Sequence, residues 1–498
     1  MTFLKKYYPL FLILILASAL RIHLLLTRGT FWFDEIFSVH FSSLPWKDAL
    51  RYWLMETNPP FYTFFLRFWL KIAPVSNELL VRLPSLIIGL ASIALLYYFA
   101  QKFFSKRAAI AASLFFALSD INIYLSIEAR GYGFLVLFAI LSFFIYFEIF
   151  FNNKKTWGWW LAYFLTNGLL LSTHLTALTV PFGQALCLIL LKPNKTDLKK
   201  WWLGHIIIGL IWLCWFVPSI IAKIDPASLT AWYFNSDTDA NNDNIAILLI
   251  SLFFTSFHRP RIVAFAIIIF TLLVYQFARD FKNIAFEEKK RRVVIAVWAF
   301  LLPVAGAMVG VLTPKFYAAS APALYLIIGE GLSIASAKRA KYFLVFLLAA
   351  GLFLLPSALL TSSKATFSWH TFTNFIEQRE TEKSVIIITP FNEELALKYY
   401  YRGKSPIIGI YMRDDNMPLD ERVVRYNWNR QTTSKKNLAE WMEKKIAGAN
   451  RVFYIQYTCE YDWTPEILKQ KKWKLYATLK PSDFLSVCLF EFRAPDEN

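Results

Sequence analysis

"LFLILILASALRIHLLLTRGTFWFDE", Leu10–Glu35, runs from a stretch apolar enough to cross a membrane straight into two adjacent carboxylates set among aromatic side chains. A membrane span needs about 20 mostly apolar residues, and the segment near 8–27 supplies them. The run is long and has no small-residue cleavage site with a polar start behind it, so it reads as an uncleaved span. Runs of the same character recur at Leu135–Phe151 and Tyr342–Leu355, in a chain of 498 residues of which 57% are hydrophobic. They are continuous rather than alternating, which excludes a transmembrane barrel. The fold class expected is an α-helical polytopic membrane protein.

The formal charge of +18 invites a nucleic-acid reading, but its distribution argues against one. Lysine and arginine gather in short connectors: Lys5-Lys6, Lys102 to Arg107, Lys154-Lys155, Lys192 to Lys200, Lys289 to Arg292 and Lys338 to Lys341. That is the positive-inside pattern, in which basic loops stay cytoplasmic. The excess charge is a topology signal, and a nucleic-acid partner is not expected.

Charge and span parity are solved together. With Lys5-Lys6 inside, span one delivers Asp34 and Glu35 to the outer face. The next span begins near Arg82 and ends inside at Lys102. Between them, "PPFYTFFLRFWLKI" is interrupted by Arg67 and Lys71 and would break the parity if it crossed, so it reads as an interfacial helix; "LPWKDALRYWLME" reads as a second. Spans near 107–123 and 131–151 flank the outer hairpin "LSDINIYLSIEARGYG", and spans near 157–172 and 175–191 flank "STHLT". A span near 201–221 leads to an outer loop with Asp225, Asp237, Asp239 and Asp243, and the short run "IAILLISLFFTSF" is read as interfacial or re-entrant. Spans near 261–278, 293–311, 318–336 and 342–360 complete about eleven, with the N-terminus cytoplasmic and the C-terminus outside.

Two domains follow: a transmembrane domain over residues 1–360, with its first extracytoplasmic loop at 28–81, and an extracytoplasmic domain over 361–498. In the latter, "SVIIITP", "SPIIGIYM", "RVFYIQYT" and "LSVCLFEFR" read as strands, and "TFTNFIEQRE" and "NLAEWMEKKI" as helices. The alternation predicts a small α/β domain with a largely parallel sheet. Cys187 and Cys214 fall in spans as packing residues, while Cys459 and Cys488 lie in a compartment that permits disulfides. Spacing alone does not decide whether those two are bridged.

Polar residues that composition does not explain collect at the outer span ends: Asp34, Glu35, Asn58, Arg82, Asp120, Glu128, Arg130, His174 and Lys315. Ionisable groups in such settings are costly and mark function. A cavity of this kind suits a substrate that is part lipid and part anion.

In the order "FWFDEIFS", "NPPFYTFFLRFW", "VRLPSLIIGL", "IEARGYGFLVLF", "STHLTALTVPFGQ", "TPKFYAASAPAL", the chain resembles the lipid-phosphate-sugar-dependent membrane glycosyltransferases of the protein mannosyltransferase and aminoarabinose transferase superfamily. The resemblance covers about Phe31 to Leu332 and extends loosely to the outer domain. It implies the C-type glycosyltransferase fold in a cell inner (plasma) membrane. It also implies transfer of a sugar from a polyprenyl phosphate to an acceptor on the outer face, usually with inversion.

The resemblance carries residue roles with it. Asp34 stands where the family places its general base, which takes the acceptor proton; Glu35 beside it would orient the acceptor or tune Asp34. The alternative for this pair is an ordinary acidic helix N-terminus. The departing lipid phosphate needs cations, for which Arg130, Lys315 and Arg82 are the candidates. Many relatives carry arginine where Lys315 stands, and lysine keeps the charge without the bidentate geometry. Asn58 replaces a histidine or lysine found in relatives and can donate but carries no charge. Arg82 could instead anchor to headgroups, and Arg130 could pair with Glu128 or Asp120. Tyr62, Tyr132 and Tyr317 could stack on sugar or prenyl chain, or belong to an interfacial aromatic belt. Glu128 and His174 could touch sugar hydroxyls or hold a divalent metal, which some relatives use; no cofactor is otherwise expected.

The acceptor is open among a glycolipid such as lipid A, a polysaccharide and a protein. Two rivals remain at this level. A lipid or sugar transporter would usually show internal repeats and midplane charges, and a non-catalytic envelope assembly protein would not depend on Asp34.

Overall fold

The computed structural model describes residues 2–56, 58–222, 271, 274–275, 277–278, 281, 284–308, 314–334, 368–412, 417–426, 434–457, 463–480 and 487–495. In chain order the first helices are α1 (Thr2–Thr27), α2 (Phe33–Ser43), α3 (Trp46–Met55), α4 (Phe61–Trp69), α5 (Glu78–Phe103), α6 (Lys106–Leu118), α7 (Asp120–Ser126) and α8 (Tyr132–Phe150). There follow α9 (Trp157–Leu171), α10 (Thr179–Leu191), α11 (Lys195–Ala222), α12 (Phe286–Met308) and α13 (Ala321–Ile334). The rest is α14 (Trp369–Glu377), β1 (Ser384–Thr389), α15 (Glu393–Tyr400), β2 (Ile407–Gly409), α16 (Leu419–Tyr426), α17 (Lys435–Lys445), β3 (Arg451–Tyr457), α18 (Thr464–Gln470), β4 (Lys474–Leu479) and β5 (Val487–Arg493). These elements form two units, one helical (Met1–Leu26, Glu56–Ile221 and Asp237–Leu360) and one α/β (Thr27–Met55, Ala222–Ser236 and Thr361–Asn498).

In the helical unit, four helices among the described residues are long and apolar enough to cross a membrane: Tyr7–Thr27, Glu78–Phe103, Tyr132–Phe150 and Lys195–Ile221. The expected span near 107–123 is instead the broken pair α6–α7, bent by 66°, which makes five if counted as one. The break has a local cause. Ser119 turns extended and its side chain accepts from the Asn122 N–H, capping a new helix where hydropathy alone ran on. Four spans, or five, are thus displayed among the described residues, against the eleven expected for the whole chain. The expected spans near 293–311 and 318–336 are helical, but α12 opens on the charged run Glu287 to Arg292 and α13 has 14 residues. Most of 261–278 and all of 342–360 lie outside the described residues, as do "IAILLISLFFTSF" and the aspartates at 225, 237, 239 and 243.

Small residues let the helices approach. A Cβ added to Gly329 of α13 would lie 2.5 Å from the Ala108 carbonyl of α6 and 2.9 Å from the Ala112 methyl, the close backbone contact by which apolar helices associate without a hydrophobic drive between them. Trp298 of α12 stacks on Phe143 of α8 at 4.1 Å and 14°. The basic connectors meet one another through ion pairs. Glu148 at the end of α8 takes Lys102 and Lys154, Lys155 reaches Asp197 at 2.7 Å, and Arg292 reaches Glu330 at 3.5 Å. The opposite ends of α8, α9 and α13 therefore lie away from this basic end.

In the α/β unit the sheet order is β2-β1-β3-β5-β4. β1 runs parallel to β2 and β3, while β5 is antiparallel to both β3 and β4. The sheet is mixed rather than largely parallel. Residues 480–486 are too few for the crossover of about a dozen residues that a parallel β4–β5 pair would need. All four expected strands are present, and β4, with its first three residues exposed, is an addition. One face of the sheet builds a core from Ile387, Val452, Tyr454 and Phe492, and Ile386 and Ile388 of β1 are buried as well. Cys488 on β5 is disulfide-bonded; Cys459, the other cysteine of this domain, lies outside the described residues.

The segment Thr27–Met55 folds as part of this unit. The Phe31 N–H donates to the Tyr400 hydroxyl at 2.8 Å and the Trp369 N–H donates to Thr30 Oγ1 at 3.0 Å. His40 meets Asp420 and Arg51 meets Glu421, both at 2.9 Å. The helix bearing Asp34 is thereby fastened to α15 and α16.

Candidate active site

In the helical unit, five turns and helix starts converge away from the basic end. Arg130 sits in the turn before α8, where its N–H donates to the Glu128 carbonyl at 2.8 Å. Tyr132 opens α8, and its ring lies 5.5 Å from that of His174 and 5.8 Å from the Lys315 ammonium. Lys315 comes from the 3-10 turn Pro314–Tyr317, whose Phe316 ring packs 5.5 Å from His174. Tyr62 of α4 lies against Gly131: a Cβ there would stand 3.1 Å from that of Tyr62. The Phe61 N–H, donating to the Ser172 carbonyl at 3.1 Å, ties α4 to the turn carrying His174.

His174 is the best-defined member. Its Nδ1 receives the Thr176 N–H at 3.2 Å and lies 2.8 Å from the Thr176 hydroxyl. A nitrogen that accepts an N–H holds no proton, so in the neutral ring the proton is on Nε2. That Nε2 is buried and has no hydrogen-bond partner among the described residues. Burial, then the positive charges of Arg130 and Lys315, push the imidazole down to about 3. The ring is a neutral donor held beside two cations.

The structure thus brings together Tyr62, Arg130, Tyr132, His174 and Lys315, with Glu128 buried in the same turn as Arg130 and Tyr317 buried in the same turn as Lys315. Arg82 is fully buried on α5, and Asn58, whose N–H faces Glu56 Oε1 at 3.5 Å, precedes α4. Among the described residues no three His, Cys, Asp or Glu side chains converge on one point, and the field of Arg130 and Lys315 at His174 suits an anion better than a cation.

In the α/β unit, Asp34 and Glu35 occupy the first turn of α2, both buried. Glu35 accepts from the Trp32 N–H at 3.4 Å and faces Arg28 at 3.9 Å. The Glu35 charge is therefore engaged within its own turn. The negative charge of Asp34 acts on Glu393, the first residue of α15. Sequence reasoning missed Glu393 and its neighbour Asn392; "FNEEL" carries no signal beyond an acidic helix start. It also missed Thr176, which fixes the His174 tautomer, although His-x-Thr at a turn is a recognisable side-chain cap.

Residues 57–221 match the family described as dolichyl-phosphate-mannose-protein mannosyltransferase. The fold is similar to ArnT from Cupriavidus metallidurans bound to undecaprenyl phosphate, with a TM-score of 0.60 and 13% identity over 96% of this chain and 97% of that one. It is similar also to AglB, the oligosaccharyltransferase of Archaeoglobus fulgidus, in complex with an inhibitory peptide and a dolichol-phosphate. There the TM-score is 0.54 and identity 13%, over 97% of this chain and 74% of that one. No curated protein matches by sequence. The resemblance drawn from the sequence, to membrane glycosyltransferases that use lipid-phosphate sugars, is borne out by the family match and the shared fold.

Proposed function

We propose that this chain transfers a monosaccharide from a polyprenyl phosphate to an acceptor hydroxyl at the extracytoplasmic face of the cell inner (plasma) membrane, with inversion. The observation that carries the reading is the donor set Arg130, Lys315 and neutral His174, in a chain whose fold is shared with ArnT bound to undecaprenyl phosphate.

The reaction divides into two tasks. On the acceptor side, Asp34 takes the hydroxyl proton as that oxygen forms its bond to the anomeric carbon. On the donor side, the bond from that carbon to the phosphate oxygen breaks and the lipid phosphate leaves as a monoester with an added negative charge. Arg130 and Lys315 supply the compensating charge, and His174 donates from Nε2 without bringing a proton that titrates. Donors already aimed at developing charge lower the barrier more than any other single device in reactions of this kind. Tyr62, Tyr132 and Tyr317 wall the donor side, where an aromatic face suits both a sugar and a prenyl unit. Arg82 and Asn58 are assigned to donor and substrate contacts on the resemblance alone.

Transfer from a radiolabelled polyprenyl-phosphate sugar in isolated membranes tests this assignment. Lys315→Ala and Arg130→Ala each lower the rate by about 10²–10³-fold, the effect of deleting one oxyanion-type donor. Lys315→Arg restores most of it, since the charge and not the ammonium shape is what the phosphate needs. Full activity in both alanine variants contradicts the donor-side assignment.

A further inference from the structure

Four buried polar atoms lie at the start of α15. Asn392 is fully buried and Glu393 is 1% exposed. Neither the amide of Asn392, at both its oxygen and its nitrogen, nor either carboxyl oxygen of Glu393 has a hydrogen-bond partner among the described residues. Burying such groups without a partner is costly, so four together mark a place built for something else. The next glutamate shows the contrast. Glu394, equally buried, is met by Lys398 at 2.7 Å, the Gly409 N–H at 2.9 Å and Arg422 at 3.4 Å.

The place is next to Asp34. α15 packs on α2, joined through the Phe31–Tyr400 hydrogen bond and the Phe31–Tyr399 edge contact at 6.1 Å. We propose that Asn392 and Glu393 form, with Asp34, the acceptor subsite, and that it receives a carbohydrate head group through adjacent hydroxyls. This rests on the reading of Asp34 as the base and deepens it by naming the acceptor class. A pair of hydroxyls both gives and takes hydrogen bonds, as an amide and a carboxylic acid side by side require. An acceptor presenting a phosphate at this point meets carboxyl groups at Asp34 and Glu393 and is disfavoured.

Glu393 supports the base as well as the substrate. Burial first, then the charge of Asp34, push its carboxyl up to about 8. At neutral pH it is a hydrogen-bond donor; above about 8 a negative charge appears on it beside Asp34. The other charged groups on neighbouring elements are engaged elsewhere. On α2, Glu35 faces Arg28 and His40 faces Asp420. On α14, Glu377 accepts from the Arg402 N–H, and the His370 ring packs on Tyr400. On α15 itself, Lys398 pairs with Glu394; β1 and β2 carry no titratable side chain.

Initial rates of transfer from a radiolabelled polyprenyl-phosphate sugar to endogenous membrane acceptor, between pH 6 and 9.5, test the proposal. The wild type is expected to fall about tenfold per pH unit above about 8, as one essential proton is lost. Glu393→Ala is expected to lose at least about tenfold at pH 7. Glu393→Gln keeps a donor that does not ionise, recovers most of that loss and runs flat to pH 9.5. The labelled product is expected to release its label to glycosidases and to resist protease. With Asp34→Asn inactive, an alkaline fall in Glu393→Gln identical to wild type, wild-type rates in Glu393→Ala, or label on protein would overturn the subsite. Activity in Asp34→Asn would instead bring down the base assignment and this proposal with it.

Discussion

His174 accepts at Nδ1 and keeps its proton at Nε2, and the two nitrogens have different consequences. Because the ring stays neutral down to about 3, donor affinity is expected to show no transition near the ordinary histidine value of about 6.5. The KM for the lipid donor, measured from pH 5.5 to 8, is predicted to stay level; a titration near 6.5 contradicts the neutral-donor role. The same shift has a stability sign. The folded state holds fewer protons at this ring than the unfolded state between about 3 and the unperturbed value. Its contribution is therefore complete above that value and is lost as pH falls towards 3. At this scale the sequence exposed much of what matters. Asp34, Arg130, Tyr132, His174 and Lys315 stand out in the sequence as polar or aromatic groups at the ends of expected spans. Glu393 did not, because what distinguishes it is Asp34, a neighbour supplied only by tertiary folding from the far end of the chain.

Elements were legible where a single signal governed them. α1, α5, α8 and α11 follow from uninterrupted apolar runs, and β1, β2, β3 and β5 from short β-rich runs between turns. Hydropathy alone does not separate α6 from α7, because Ser119-Asp120 is a helix start set inside an apolar stretch. β4 escaped because its exposed Lys474, Leu475 and Tyr476 carry no buried alternation. The antiparallel half of the sheet followed from that omission, β5 having no evident neighbour in sequence. A glycine pair tests how the helical unit packs. Gly329→Leu drives a side chain into the α6 backbone, at a cost of about 1–3 kcal/mol from overpacking. Gly209→Leu on α11, with nothing within 4 Å of the added Cβ, should be silent. Thermal unfolding in detergent reads both; equal midpoints would refute the close α6–α13 approach.

For the whole molecule, the chain carries a helical unit with a cationic, aromatic cluster and an α/β unit that has taken in the segment bearing Asp34. The basic connectors and the cluster lie at opposite ends of α8, α9 and α13. The charge bias of the connectors supports the proposal that the cluster faces outward. Single cysteines placed at residues 34 and 290 of a cysteine-free variant are predicted to differ in intact cells: an impermeant maleimide labels the first and not the second until the cells are opened. Labelling of both from the same side would reverse the topology and remove the outer-face reaction.

Glycosyl transfer itself is the most direct test. Membranes holding equal amounts of wild type or Asp34→Asn are incubated with a panel of labelled polyprenyl-phosphate sugars, and label arriving on any endogenous acceptor is measured. One sugar of the panel is predicted to be transferred by wild type and by Asp34→Asn at least about 10³-fold more slowly, the upper range for loss of a general base. Equal labelling by the two would contradict the account.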